Sequence, residues 1–306
     1  MLRKKIISFV LMTLFCCLIS DNIFGGEKLN VVTSTSFLAD WVRQIGKEFV
    51  EVESINDGKT DMHFFEPRPG HVIRCSRADV FVTAGLDLDI WLQPLLDASR
   101  NPKIQYGAEG YIDASVGVHV LQKPTGSIDM SMGDVHPYGN PHYFYGLENV
   151  RVALENIVEG LAKVDSMNRE AFKINKEQYW IEVQNTFRTL KKILEPFNGT
   201  KVITYHLSWE YFVKEFGFEI VGYFEPKPGI PPSPKDIKKL INIINSNQVK
   251  LILKEPYYPR RRVKKVAKET GAKMLELTNL PGGRDNAPTY LENLKANVND
   301  LIKALR

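Results

Sequence analysis

Cysteine is scarce in this sequence, and a strong net charge and a long apolar run within the body of the chain are both absent. The 306 residues include three cysteines and carry a formal net charge of only +4. A charge this small lacks the basic footprint of a nucleic-acid-binding protein, so no nucleic-acid partner is expected. After residue 19, no apolar stretch approaches the roughly 20 residues that a membrane-spanning helix needs. The composition, 43% hydrophobic and 25% charged, is typical of a globular protein.

Several familiar metal and redox motifs are also missing. No HExxH, paired CxxC or EF-hand spacing occurs anywhere in the sequence. Beyond residue 26 the only cysteine is Cys75, so residues 27–306 cannot form an internal disulfide. Cys75 lies in an amphipathic stretch, where a lone cysteine packs as a small apolar side chain. Stability is therefore expected to come from apolar cores.

The first 26 residues have the features of a secretory signal peptide. Three basic side chains precede the apolar run Ile6–Ile19, and the small pair Gly25–Gly26 follows it. At 14 residues, the run is short for a membrane anchor. We therefore expect export to the periplasm, with residues 1–26 removed. Cys16 and Cys17 lack the small residue that usually precedes a lipidated cysteine, so a lipid anchor is the less favoured alternative.

Predicted strands and helices alternate in two blocks of the chain. The first block has three predicted strands separated by helices, at 29–33, 50–55 and 78–85. The second block has four predicted strands separated by helices, at 201–205, 219–223, 249–254 and 273–277. Such alternation predicts an α/β fold with two Rossmann-like lobes, each a mostly parallel sheet with flanking helices.

A long periodic segment joins the two blocks. Its apolar residues recur at steps of 4, 4, 3 and 4, the spacing of one helix face, at Tyr179, Val183, Phe187, Leu190 and Leu194. The predicted helix runs from Asn168 to Pro196 and would be about 40 Å long. A helix of this length suits a rigid spine, residues 167–197, between an N-terminal lobe at 27–166 and a C-terminal lobe at 198–306.

Four of the six histidines occupy loop positions from which they could converge. His63 lies in a loop that carboxylates flank and prolines close, and His136 and His142 share a second loop. His206 directly follows the strand 201–205, and ligands of open α/β sheets bind beyond the carboxyl ends of strands. Neutral imidazole is a common zinc ligand. By position alone, a three-histidine metal site and a set of ordinary loop histidines are equal alternatives.

No metal-binding role is predicted for the two remaining histidines, and a proline-rich loop has no single predicted role. His71 faces an apolar run on a helix that begins near it. His119 alternates within a predicted strand, Val116–Leu121. The stiff proline-rich loop at 223–234 either lines the mouth of a ligand cleft, contacts a partner, or is a plain rigid crossover.

Three segments of the chain resemble the motifs of one known family. Residues 63–67 (HFFEP) are similar to a PHxYEP motif, and residues 140–142 (NPH) are similar to an NPHxW motif. The segment 205–218 resembles the third histidine segment of the same family. These motifs are typical of the zinc/manganese solute-binding proteins of ABC importers, the ZnuA/TroA-like family. Together with the signal peptide and the spine helix, the resemblance covers essentially the whole chain after residue 26.

The resemblance implies that His63, His142 and His206 bind a divalent metal ion, Zn²⁺ or alternatively Mn²⁺. It also implies that the protein is not an enzyme but captures the ion in the periplasm and delivers it to the membrane permease of an ABC transporter. Because His206 would come from the second lobe, bound metal would pin the two lobes together. We expect the protein to act as a monomer.

The chain departs from the family pattern at the fourth ligand. Manganese-type members carry a late carboxylate, which falls near Leu277–Thr278 here, where neither residue can supply it. Glu255, Asp285, His136 and water are the alternatives for this position. Three imidazoles with at most one oxygen suit Zn²⁺, whereas Mn²⁺ prefers more oxygen ligands, so zinc is favoured over manganese.

Two other classes of function stay open at this point. An exported zinc hydrolase would also use three histidines with an open fourth position, and Glu255 or Glu66 could then act as general base. Against it, the sequence shows no nucleophile–base arrangement. A receptor for a metal chelate or haem is the second alternative, although it would not need three histidines in separate loops.

Overall fold

The computed structural model describes residues 27–126, 133, 136–227 and 229–306. The predicted signal peptide, with Cys16 and Cys17, lies outside these residues. Within the described ranges, no helix has both the length and the apolar composition that are needed to cross a bilayer.

The first sheet contains four parallel strands in the order β2-β1-β3-β4. The strands are β1 (Leu29–Thr35), β2 (Val50–Asn56), β3 (Val80–Thr83) and β4 (Tyr111–Asp113). The helices of this half are α1 (Ser36–Gly46), α2 (Pro69–Arg77), α3 (Leu92–Ser99) and α4 (Leu147–Val164). Strand β3 reads Val-Phe-Val-Thr and is buried along its whole length, as expected for a parallel strand that is covered on both faces.

A single long helix, α5 (Arg169–Leu194), follows the first sheet within the predicted spine. Its 26 residues span about 39 Å at 1.5 Å per residue. The residues of the predicted apolar stripe are all buried: Tyr179, Val183, Phe187, Leu190 and Leu194. Helix α5 packs against α1 and α4, and also against two helices of the second half. The prediction of a long helix between two lobes is therefore confirmed.

The second sheet repeats the topology of the first, with parallel strands in the order β6-β5-β7-β8. The strands are β5 (Lys201–Thr204), β6 (Glu219–Tyr223), β7 (Leu251–Lys254) and β8 (Lys273–Glu276). The helices of this half are α6 (Glu210–Phe216), α7 (Pro234–Ser246), α8 (Arg260–Thr270) and α9 (Tyr290–Leu305). Helices α6 and α9 are the two that contact α5. The predicted α/β fold with two parallel sheets and flanking helices is confirmed.

One apolar core extends through both halves of the molecule. It includes Val82 of the first sheet, Phe187 of α5, and Val202 and Leu253 of the second sheet, all of them buried. Since neighbouring residues of a strand point to opposite faces, two smaller clusters cover the other face of each sheet. Cys75 packs in one of these clusters as a small apolar side chain, and burial raises the pKa of its thiol to about 12.

The predicted strand Val116–Leu121 is wrong. Residues 114–117 form turns and residues 118–120 are irregular. The side chain of Asn149, on α4, takes the place of a neighbouring strand. Its Oδ1 accepts a hydrogen bond from the His119 backbone N–H at 2.7 Å, and its Nδ2 donates to the His119 carbonyl at 2.9 Å. The backbone groups are thus paired without a β-ladder, which the alternating sequence pattern does not reveal.

Candidate metal centre

His63 is held in the loop that follows β2. Oδ1 of Asp61 accepts a hydrogen bond from the His63 backbone N–H at 3.1 Å and lies 2.8 Å from Nδ1 of the same histidine. Trp91 fixes the loop further, because its indole N–H donates to the Met62 carbonyl at 2.8 Å. The His63 ring is buried, and its orientation is set by Asp61.

His142 is held in the same way in the loop before α4. Oδ1 of Asn140 accepts a hydrogen bond from the His142 backbone N–H at 2.9 Å and lies 3.0 Å from Nδ1. Nδ2 of Asn140 donates to the Leu207 carbonyl at 2.8 Å, which fixes the orientation of the amide. Because Leu207 follows β5, this bond also connects the two halves of the molecule close to the site.

His206 lies just beyond the carboxyl end of β5. Its Nδ1 is 2.9 Å from Oε2 of Glu225, which lies just beyond the end of the neighbouring strand β6. The backbone N–H of Glu225 donates to the Tyr205 carbonyl at 2.9 Å, so the pairing of the two strands brings this carboxylate beside the ring. Thr204 adds a hydrogen bond from its hydroxyl to the His206 carbonyl at 2.8 Å.

The three imidazoles converge on one point. One potential ligand atom from each of His63, His142 and His206 lies within 4.8 Å of the others. The Nε2 atoms of all three are buried and have no hydrogen-bond partner within the described part of the chain. Because a carboxylate or amide oxygen can only accept, each Nδ1 is the donor, and in the neutral ring the lone pair then lies on Nε2. The structure therefore presents three nitrogen donors to one small space.

Burial and the neighbouring rings favour the neutral form of His142, which is the form that binds a metal ion. Burial lowers the pKa of His142 well below its usual range, and the nearby His63 and His206 rings lower it further. Burial alone would raise the pKa of Asp61, but its hydrogen bonds with His63, together with charge interactions with His63 and His206, outweigh that effect and lower it. A neutral imidazole backed by an ionised carboxylate is the arrangement that strengthens a histidine ligand.

The alternatives for a fourth ligand lie in different surroundings. His136 is buried beside the cluster, and its ring centroid is 5.1 Å from that of His63. Glu255 is buried just beyond the end of β7, where it accepts a hydrogen bond from the Trp209 indole at 3.1 Å, and burial raises its pKa to about 7. Asp285 is exposed. Among the described residues, none of these three belongs to the group of ligand atoms within 4.8 Å.

The two remaining histidines have other surroundings. Nδ1 of His71 accepts a hydrogen bond from the Arg68 backbone N–H at 3.0 Å, and this bond caps the start of α2. The His71 ring also packs on Phe65, with centroids 5.5 Å apart. His119 is exposed. Neither is among the three histidines that converge.

Two residues that hold the ligand rings are not predicted from the sequence. Asn140 has a local signal, because Asp61 and Asn140 each stand two positions before a histidine, the spacing of an Asx turn. Glu225 has none, because it is separated from His206 by 19 positions and meets it only through the pairing of β5 with β6. Glu225 also belongs to the proline-rich loop, so at least this part of the loop supports the site.

The two parallel sheets, the long connecting helix and the converging imidazoles define a class, that of two-lobed binding proteins for divalent metal ions. A sequence model of the family described as "Zinc-uptake complex component A periplasmic" matches residues 31–304, and the chain belongs to this family. The family consists of substrate-binding proteins of metal ABC importers and not of enzymes, which removes the hydrolase alternative.

Named relatives of the chain differ in their metal. Over 282 residues the chain is 22% identical to the iron-binding protein YfeA of Yersinia pestis, with 90% of this chain and 86% of the relative covered. Over 287 residues it is 23% identical to the high-affinity zinc uptake system protein ZnuA of Bacillus subtilis, covering 92% and 88%. Over 256 residues it is 26% identical to the manganese ABC transporter substrate-binding lipoprotein PsaA of Streptococcus pneumoniae, covering 80% and 78%.

Solved structures share the fold. A zinc-bound deletion mutant of ZnuA superposes with a TM-score of 0.74 at 25% identity, covering 91% of this chain and 98% of that one. A manganese-bound periplasmic metal-binding protein from Candidatus Liberibacter asiaticus gives a TM-score of 0.75 at 23% identity, covering 92% and 100%. Metal binding is common to these proteins, and the ion differs from one to the next.

Proposed function

We propose that this protein captures Zn²⁺ in the periplasm and delivers it to the membrane permease of an ABC importer, with His63, His142 and His206 as ligands. The observation that carries the proposal is the set of three buried Nε2 atoms that converge without hydrogen-bond partners. Buried polar atoms are normally paired, and one ion bonded to all three nitrogens would satisfy them together.

The spacing of the nitrogens fits a zinc ion. Zinc binds imidazole nitrogen at about 2.0–2.1 Å, so two nitrogens of a tetrahedral shell are about 3.3 Å apart. The potential ligand atoms lie within 4.8 Å of one another, so each pair has to approach by at most about 1.5 Å. The oxygen partners of the three Nδ1 atoms hold the rings in the orientation that this movement needs.

The donor set supports zinc over manganese. The atoms that converge are all imidazole nitrogens, whereas Mn²⁺ is suited to carboxylate, carbonyl and water oxygen. Zinc also stands well above manganese in the general order of affinity for such ligands. The carboxylates of Asp61 and Glu225 act on the ion through the histidines that they contact and not as direct ligands.

Competition between the purified protein and a zinc chelator tests this assignment. We expect one Zn²⁺ per chain and far weaker binding of Mn²⁺. We expect His63→Ala and His206→Ala to lose more than about 100-fold in zinc affinity. Loss of the hydrogen-bond partner of a ligating histidine costs about 10- to 100-fold, and loss of the ligand itself should cost more. His119→Ala is the matched control, since that histidine is exposed and should leave affinity unchanged. Wild-type affinity in either ligand variant, or a preference for Mn²⁺, would contradict the proposal.

Delivery to a permease is tested in cells. Deletion of the gene should impair growth when zinc is scarce. Wild-type protein and His119→Ala should restore that growth, whereas His206→Ala should not. If His206→Ala restored growth at equal protein levels, growth would not depend on this metal centre, and the proposal would be contradicted.

A further inference from the structure

A fourth imidazole, that of His136, packs against His63, one of the three that converge. Its ring centroid lies 5.1 Å from that of His63, which equals the 5.1 Å between His63 and His206 and is close to the 5.2 Å between His63 and His142. His63 therefore has three imidazole neighbours at nearly equal distances. Rings bound to one tetrahedral zinc ion, with metal–nitrogen bonds of about 2.0–2.1 Å, have centroids about 5 Å apart. The pair His136–His63 has this spacing, whereas His142 and His206 are 5.8 Å apart.

The free nitrogen of His136 has the same environment as those of its three neighbours. Its Nε2 is buried and has no hydrogen-bond partner among the residues that the structure describes. The ring also makes a hydrogen bond with the backbone of Asp87, in the turn that follows β3. A buried nitrogen lone pair without a donor is unfavourable, and a bound cation would satisfy it.

The carboxylates considered for the fourth position are no better placed. Glu255 gives one oxygen to the Trp209 indole and lies outside the group of ligand atoms within 4.8 Å, and Asp285 is exposed. His136 also lies outside that limit, so its ring would have to move towards the other three to share an ion with them. The loop of His136 contains a turn closed by a 3.0 Å hydrogen bond from the Gly139 N–H to the His136 carbonyl.

We propose that His136 is the fourth ligand, so that four imidazoles hold the ion and the segment 136–142 binds it at both of its ends. This inference rests on the proposed function, because it concerns the same ion. The shell then contains no water and no carboxylate oxygen. Since manganese favours oxygen ligands, His136 increases the preference of the site for zinc.

X-ray absorption spectroscopy of the zinc-loaded protein counts the imidazoles directly. We expect four nitrogen neighbours at about 2.0 Å, with the outer signals of four imidazole rings. In His136→Ala a water oxygen should replace one ring, zinc affinity should fall at least about 10-fold, and the zinc-to-manganese affinity ratio should fall as well. His119→Ala should keep four imidazoles and wild-type affinity.

The outcomes separate this inference from the function on which it rests. Tight zinc binding by three imidazoles and an oxygen in the wild type, with unchanged affinity in His136→Ala, would overturn the role of His136 and leave the proposed function intact. Absence of tight zinc binding in the wild type would overturn both. Because the count of imidazoles is made on the wild type, the test stays decisive even if His136→Ala fails to fold.

Discussion

At the scale of single residues, each converging histidine has its outer nitrogen fixed by an oxygen. The acceptors are Asp61, Asn140 and Glu225, at 2.8, 3.0 and 2.9 Å from the respective Nδ1 atoms. They set the tautomer and the ring angle before an ion arrives. Little conformational freedom is therefore lost on binding, which favours high affinity.

The charge of Glu225 is open to a direct test. Glu225→Gln keeps a side chain of the same size beside His206 but removes the negative charge. We expect zinc affinity to fall about 10- to 100-fold, because the carboxylate strengthens the histidine as a donor. Chelator competition measures the change, and X-ray absorption should show an unchanged number of ligands.

A second glutamate, at the other end of β6, provides the control for that substitution. Glu219 is exposed at the start of β6, so Glu219→Gln should bind zinc like the wild type. Equal affinities in the two variants would show that Glu225 orients the ring without contributing through its charge.

The three histidines that converge can be predicted from the sequence. The residues that hold their rings in place are harder to predict. His63, His142 and His206 stand in motifs that a resemblance identifies, and the structure brings those three rings together. Their supports depend on folding. Asp61 is near enough in sequence to be noticed, but Glu225 reaches His206 only because β5 and β6 pair in parallel.

At the scale of secondary-structure elements, α5 is the part of the fold that sequence predicts most completely. Its apolar residues keep the helical spacing over four successive intervals, so the helical pattern is clearer than any other. Strand β4 has only three residues, which is too short for a period to be read. Helix α9 was missed although a capping box, Thr289 with Glu292, marks its start. The strand at Val116–Leu121 was wrong because Asn149 pairs with that backbone.

The stripe of α5 should carry much of the stability of the fold. The Phe187 ring is fully buried and stacks on Phe216 of α6, with centroids 5.6 Å apart. Phe187→Ala should lower the free energy of unfolding of the metal-free protein by about 3–5 kcal/mol. Urea denaturation measures this change.

The opposite face of the same helix supplies the matched substitution. Ile181 is 57% exposed, so Ile181→Ala should change the free energy of unfolding by no more than about 0.5 kcal/mol. Similar losses for the two variants would mean that α5 is not packed as described.

At the scale of the whole molecule, hydrogen bonds connect the two halves directly beside the metal centre and away from it. The Tyr211 hydroxyl, on α6, donates to the Asn140 carbonyl at 2.8 Å and accepts from the Leu121 N–H at 2.9 Å. Elsewhere, the N–H of Tyr290 donates to Asp40 at 2.8 Å. The first pair of bonds restrains the loop that carries His142.

Loss of the Tyr211 hydroxyl should loosen that loop. Tyr211→Phe leaves the Leu121 N–H and the Asn140 carbonyl without this partner, which should cost about 1–3 kcal/mol of stability. We expect faster amide exchange around residues 119–122 and 136–142 and faster zinc release, measured by hydrogen–deuterium exchange and by stopped-flow transfer to a chelator. Tyr106→Phe, at an exposed position, is the control. Unchanged exchange and release in Tyr211→Phe would show that this bridge does not restrain the site.

Separating the two sheets in the manner of a hinged clamshell would bring the apolar interior from Val82 through Phe187 to Leu253 into contact with water. Each 100 Å² of apolar surface exposed costs about 2.5 kcal/mol, and the stability of a typical domain is only about 5–15 kcal/mol. We therefore expect the proposed unloading of the ion to proceed with the two sheets still joined. We expect a permease to recognise one nearly constant body and to extract the ion by displacing a few surface residues around it.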